Sequence, residues 1–205
     1  MPSKRKEKSA NSRFSSKKHR KTTSIPIDSV QFNCLIRNDL ESDDLARMYS
    51  GNSVDSIKDR FRVLDQPFKC VFIDNLIEDH RFVDSLEKEI RLHVRFNEKN
   101  NDLYRFKQSR DFKHLQHLPH CQAMTDCLLE QLMPVLRKVT GFQLYEDCID
   151  VTASKYDKND VLNCHDDMLE ERRIAFILYL VDQEWTEADG GHLCLFGRDG
   201  EKEID

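Results

Sequence analysis

The segment Leu162-Asn163-Cys164-His165-Asp166-Asp167 puts an imidazole and a carboxylate at positions i and i+2. On a β-strand those positions project to one side. His165 and Asp167 would then offer a nitrogen and an oxygen to a single point. One more histidine from a distant strand would complete a two-His-one-carboxylate face. Such a face holds Fe(II) and leaves three positions open for a bidentate co-substrate and O₂. The same triplet also fits a hydrated turn with both side chains in water. Tyr179 is the second candidate, because it sits inside the apolar run Ile174–Val181 (IAFILYLV). A buried phenol needs a partner, either a backbone carbonyl in the core or a carboxylate of a bound acid. Tyr156 carries the same two readings. Arg172 and Arg173 follow two glutamates and read as a solvated charged turn.

Rigid elements must position such groups. Ile149–Tyr156 alternates and is rich in β-branched residues, so it reads as a strand, and Val161–Asp167 reads as a shorter one. Ile174–Val181 is continuous apolar sequence, the pattern of a strand buried on both faces. Asp189-Gly190-Gly191 marks a turn, and another strand begins over His192–Phe196. Upstream, Phe68–Ile73 reads as a strand. Phe82, Leu86, Ile90 and Val94 recur every four residues, which predicts a helix capped by Asn75 or Asp79. Residues 97–109 read as a structured loop with aromatic insertions. A second helix is expected over Gln122–Val139, kinked at Pro134 and stopped at Gly141. Helices first and strands afterwards point to an α+β fold with a jelly-roll core and helices packed outside.

The arm before these elements is different in kind. Residues 1–21 hold nine Lys and Arg against one acid, Glu7, while the remainder holds 23 bases against 36 acids. Residues 1–27 therefore read as a disordered basic arm, and its clusters suit a nuclear-import receptor. An acidic body argues against direct DNA binding, which needs a basic face on the fold. It suits a basic protein or peptide substrate. Residues 28–66 read as an N-terminal helical segment, with short helices over Leu40–Tyr49 and Val54–Leu64. Residues 67–205 read as the chemistry-bearing domain, with jelly-roll strands from about 148. No apolar run matches a membrane span or a secretory signal. The seven cysteines, with no pair at C-x-x-C spacing, read as reduced thiols. Together these place the protein in the nucleus and cytoplasm.

Three stretches resemble one family. They are Asn101–Ser109 (NDLYRFKQS), Ser154–Asp167 (SKYDKNDVLNCHDD) and Cys164–Phe196 (CHDDMLEERRIAFILYLVDQEWTEADGGHLCLF). They are similar to the Fe(II)- and 2-oxoglutarate-dependent prolyl 3-hydroxylases that modify a small-subunit ribosomal protein. The resemblance implies a double-stranded β-helix (jelly-roll) core. It implies iron ligation by His165 and Asp167, and 2-oxoglutarate contact by Tyr179 with Tyr156 nearby. It implies O₂ as second co-substrate, ascorbate as the reductant that keeps the iron reduced, and a prolyl residue near the decoding centre as target.

The family takes its second histidine ligand and a 2-oxoglutarate-binding arginine from strands well after the His-x-Asp pair. Neither His192, which starts the next strand, nor Arg198, in a loop-like tail, fits those roles. The expected fold is therefore incomplete at the C-terminus, and the chain alone is expected to be inactive. Two further readings stay open: a truncated or degenerate copy acting as a binding or regulatory module, and hydroxylation of lysyl or histidyl residues.

Overall fold

Residues 39–167, 171–182, 184–197 and 202–204 are described by a computed structural model. The basic arm, residues 28–38 and Arg198 lie outside the described residues. The first helix, α1 (Asp39–Tyr49), forms where expected. The second expected helix does not. Residues 55–60 form turns, and Phe61–Leu64 is a strand, β1, paired antiparallel with β2 (Cys70–Ile73). Strand pairing gives Phe61-Arg62-Val63-Leu64 cross-strand partners that a short isolated helix lacks. The Arg62 guanidinium lies 4.3 Å from the centre of the Phe72 ring across that hairpin. Leu45, Val54, Ile57 and Phe61 bury against Val139. The divide expected at 66/67 thus falls inside a hairpin that shares its core with a later helix.

The helix α2 (His80–His93) starts at Asp79, whose carboxylate accepts from the Arg81 and Phe82 amides. The expected single helix over 122–139 is three pieces: α3 (Pro119–Cys127), a widened turn over Leu128–Leu132, and α4 (Met133–Thr140). Pro134 explains the break. It has no N–H for the carbonyl one turn back, and its ring crowds that carbonyl. The chain answers with a π-type turn in which the Met133 amide bonds Leu128 O. Gly141, at φ 71°, closes α4 in the left-handed conformation. Phe82 and Leu86 of α2, Cys121 and Met124 of α3, and Leu128 and Leu132 of the widened turn form the main core with Phe112 and Val151.

Residues 97–109 form a hairpin and not a loop. Strand β3 (Phe96–Asn100) pairs antiparallel with β4 (Tyr104–Ser109). The Asn101 side chain makes the turn by accepting from the Leu103 and Tyr104 amides, each at 2.9 Å. After it come four short strands: β5 (Ser154–Lys155), β6 (Val161–Leu162), β7 (Leu195–Phe196) and β8 (Lys202–Ile204). The described strands make one four-stranded and two two-stranded antiparallel sheets beside the helices, an α+β arrangement. The run 174–181, expected as a doubly buried strand, is coil, with Ile177 60% and Tyr179 54% exposed. A strand of that kind needs a ladder on each edge and a layer on each face, and no described strand pairs with it. No helix among the described residues is long and apolar enough to cross a membrane.

Candidate metal and co-substrate site

Strand β4 organises the region. Its one edge is taken by β3, and its other edge pairs with β6 at Tyr104–Arg105 and with β5 at Lys107–Gln108. Strands β5 and β6 therefore run as one lane along β4. Between the two pairings a single β4 residue, Phe106, faces the five residues 156–160. Such a bulge bends a strand and re-aims side chains. Its tip is a small turn in which the Asp157 amide donates to Asp160 Oδ2 at 2.8 Å and Asn159 takes φ 70°. Ion pairs hold it on β4: Lys107 with Asp157, and Arg105 with Asp160 at 3.5 Å. The Lys107 bond, with Lys155 next, holds the Asp157 carboxyl below its ordinary range.

Just beyond β6 the chain is tied back to the β3–β4 turn. The Asn163 amide donates to Leu103 O at 2.9 Å, and its side chain donates to Asp102 O at 3.3 Å. The Asn163 carbonyl then faces His165 Nδ1 at 2.8 Å. A carbonyl can only accept, so Nδ1 carries a hydrogen, and in the neutral ring Nε2 is then the nitrogen with the lone pair. That is the second-sphere arrangement found behind metal-bound histidines. Nε2 lies 3.4 Å from Asp167 Oδ1. Two neighbouring ligand atoms at bonds of about 2.1 Å and a right angle would stand about 3 Å apart, a spacing close to that of this pair. Both residues lie in coil past the strand, contrary to the expected strand over 161–167. Arg172, read as part of a solvated turn, reaches back to Asp167 O at 3.3 Å and Oδ1 at 3.8 Å.

Tyr156 and Tyr179 are each about half exposed, 48% and 54%. Burial pushes the Tyr156 phenol up, and the neighbouring Tyr179 and Asp160 add to it. Partial burial likewise raises Tyr179, with the nearby Cys70 thiol contributing. His192 lies in exposed coil before β7, and no group of three His, Cys, Asp or Glu side chains suited to a metal occurs among the described residues.

Residues 151–205 match the 2OG-Fe(II) oxygenase superfamily. Prolyl 3-hydroxylase OGFOD1 of Mus musculus is 45% identical over 133 residues, which make 65% of this chain and 24% of that protein. The Xenopus laevis OGFOD1 is 42% identical over 133 residues, 65% of this chain and 25% of its own length. Over that shared stretch the chain is similar to proteins named prolyl 3-hydroxylases. Prolyl 3-hydroxylase sudestada1 of Drosophila melanogaster is a more distant one, 36% identical over 145 residues that make 67% of this chain and 26% of that protein. The chain spans about a quarter of the length of these relatives. The oxygenase match takes in β5, the bulge, β6, His165, Asp167 and Tyr179.

Two features escaped the sequence reading. Phe106 stacks on Tyr156 with ring centroids 5.1 Å apart and 15° from parallel. Tyr104 and Phe106 alternate on β4, a period-2 signal hidden by the loop reading. The second is a fully buried pair in the helical layer. Glu89 of α2 accepts from the Cys121 amide at 2.9 Å and faces His120 Nδ1 at 3.1 Å. Helix α3 has no side-chain cap of its own, so Glu89 caps it from a neighbouring helix. Glu89 lies seven residues after Phe82, on the same helical face, so spacing alone marks it as buried.

Proposed function

We propose that the protein is an Fe(II)- and 2-oxoglutarate-dependent dioxygenase that 3-hydroxylates a prolyl residue of a small-subunit ribosomal protein near the decoding centre. The observation that carries this reading is the His165–Asp167 pair, with Nδ1–H fixed on Asn163 O and Nε2 facing the carboxylate, inside the segment matched to the oxygenases. His165 Nε2 and Asp167 would hold the iron, with the third donor supplied from outside the described residues. Bound iron would supply open positions for 2-oxoglutarate and O₂, and ascorbate would keep it reduced. In the net reaction one oxygen atom enters a prolyl C–H bond. The other enters 2-oxoglutarate, which leaves as succinate and carbon dioxide. Asn163 fixes the imidazole tautomer. Tyr179 and Tyr156 offer phenol hydroxyls to the dicarboxylate. A jelly-roll core completed around β5, β6 and 174–181 would provide the walls. The excess of acids after residue 21 would favour a basic ribosomal protein as partner.

The reading is tested in the complete protein. His165→Ala and Asp167→Ala are expected to abolish iron binding and turnover, and Tyr179→Phe to raise the 2-oxoglutarate requirement. Mass spectrometry of ribosomal proteins from cells lacking the gene should find one proline lighter by an oxygen atom. Unaltered ribosomal prolines would overturn the substrate, and retained iron binding in both variants would overturn the site.

A further inference from the structure

Tyr156 is fixed on both sides of its backbone. Before it, Lys155 pairs with Lys107 in the ladder. After it, Asp157 and Asp160 are held by Lys107 and Arg105, and Arg105 also donates to Asn159 O. What remains free is rotation of the ring. That ring lies on Phe106, near parallel, and Tyr104 meets Phe106 at 5.5 Å, edge to face. Cross-strand aromatic pairs prefer such offset stacks, and each restricts the other's rotamers. Phe106 belongs to neither of the two apolar clusters. Its ring partners are Tyr104 and Tyr156, so its packing is with the candidate site and not with the core.

We propose that Phe106 is a positioning residue for the co-substrate, holding the Tyr156 hydroxyl, by ring stacking, where a bound dicarboxylate accepts its hydrogen bond. This rests on the reading of Tyr156 as a 2-oxoglutarate contact. Phe106 itself offers no polar atom and touches the co-substrate only through Tyr156. Loss of the stack frees the phenol to rotate, and binding must then select the competent rotamer from several.

The test uses the complete protein with Phe106→Leu, Phe106→Tyr, Tyr156→Leu and the double Phe106→Leu/Tyr156→Leu. Binding of 2-oxoglutarate is measured by calorimetry on Mn(II)-loaded protein, and KM and kcat are measured separately on the iron form. Fluorine NMR of 3-fluorotyrosine protein reports Tyr156 without metal, its resonance identified by its loss in Tyr156→Leu. Phe106→Leu is expected to weaken 2-oxoglutarate binding by about three- to tenfold, raise KM with little change in kcat, and move the Tyr156 resonance. Phe106→Tyr, which keeps the ring, should restore all three. With Tyr156 already replaced, Phe106→Leu should add nothing. If Phe106→Leu fails to fold, Phe106→Met, which keeps volume without a ring, carries the same expectation. Weakened binding by Tyr156→Leu but not by Phe106→Leu overturns this proposal alone. Binding unchanged by Tyr156→Leu overturns the Tyr156 reading and the proposal together.

Discussion

The helical layer and the segment from β5 to β7 treat side chains in opposite ways. Between α2 and α3 even a carboxylate is fully buried, and it is satisfied there: Glu89 has 0% exposure and bonds both the Cys121 amide and His120. Between β5 and β7 even large apolar residues are open, Phe176, Ile177, Val181 and Trp185 among them. The first region is built on a buried core, to which Phe112 and Val151 also contribute. The second is anchored at few points, the β4 lane, Asn163 and the bulge, and carries the candidate chemistry on them. Burial in this chain therefore marks architecture, and anchoring marks the site.

The comparison can be broken most directly at Glu89. Glu89→Ala leaves the Cys121 amide and His120 Nδ1 buried without an acceptor, and is expected to cost about 3–5 kcal/mol in urea unfolding followed by helical circular dichroism. A cost below about 1 kcal/mol would show that the helical layer does not depend on this cap. Thiol labelling sharpens the contrast. Burial, then the nearby Glu89 carboxylate, pushes the Cys121 thiol up to about 12, whereas Cys164 is exposed. At pH 8 in native buffer Cys164 should be modified by iodoacetamide, and Cys121 only after unfolding. Peptide mapping that found both labelled at similar rates would contradict the burial.

Two smaller effects belong to the open region. Ile177→Ser in this chain is expected to shift stability by no more than about 0.5 kcal/mol, the range for exposed positions. A loss of about 2 kcal/mol or more in thermal melts would mean that Ile177 is buried after all. The bulge should weaken in acid. The Asp157 carboxyl is held below its ordinary value of 3.8, so its ion pairs contribute in full above that value and are lost as pH falls through the depressed one. Amide exchange of residues 156–160, corrected for intrinsic rates, should therefore be faster at pH 3 than at pH 5. Unchanged protection would remove the Lys107–Asp157 pair from the anchoring.

How much of this is written in the sequence varies with the kind of force involved. Helix α2 was legible, since Phe82, Leu86 and Ile90 carry the period and Asp79 the cap. Glu89 falls between those periodic apolar positions, although its spacing from Phe82 puts it inside. The His165–Asp167 pair was legible as two residue types at one spacing. Its setting was not, because the group that fixes His165 is a backbone carbonyl, which any residue possesses. The β3–β4 hairpin was hidden behind its charged and polar content. For 174–181 the apolar run reports what the segment would bury, and pairing depends on which strands lie alongside, a property of the whole chain.

One consequence of the β4 lane concerns order in time. The bonds that close its second edge join residues 44 to 61 positions apart, from Gln108–Thr152 to Asp102–Asn163. Contacts of that span form late, because loop-closure entropy is lost before they repay it. During synthesis the β3–β4 hairpin thus emerges well ahead of its partner lane, with an unpaired edge beside Tyr104 and Phe106. Until the lane arrives, that edge is open to pairing with other chains.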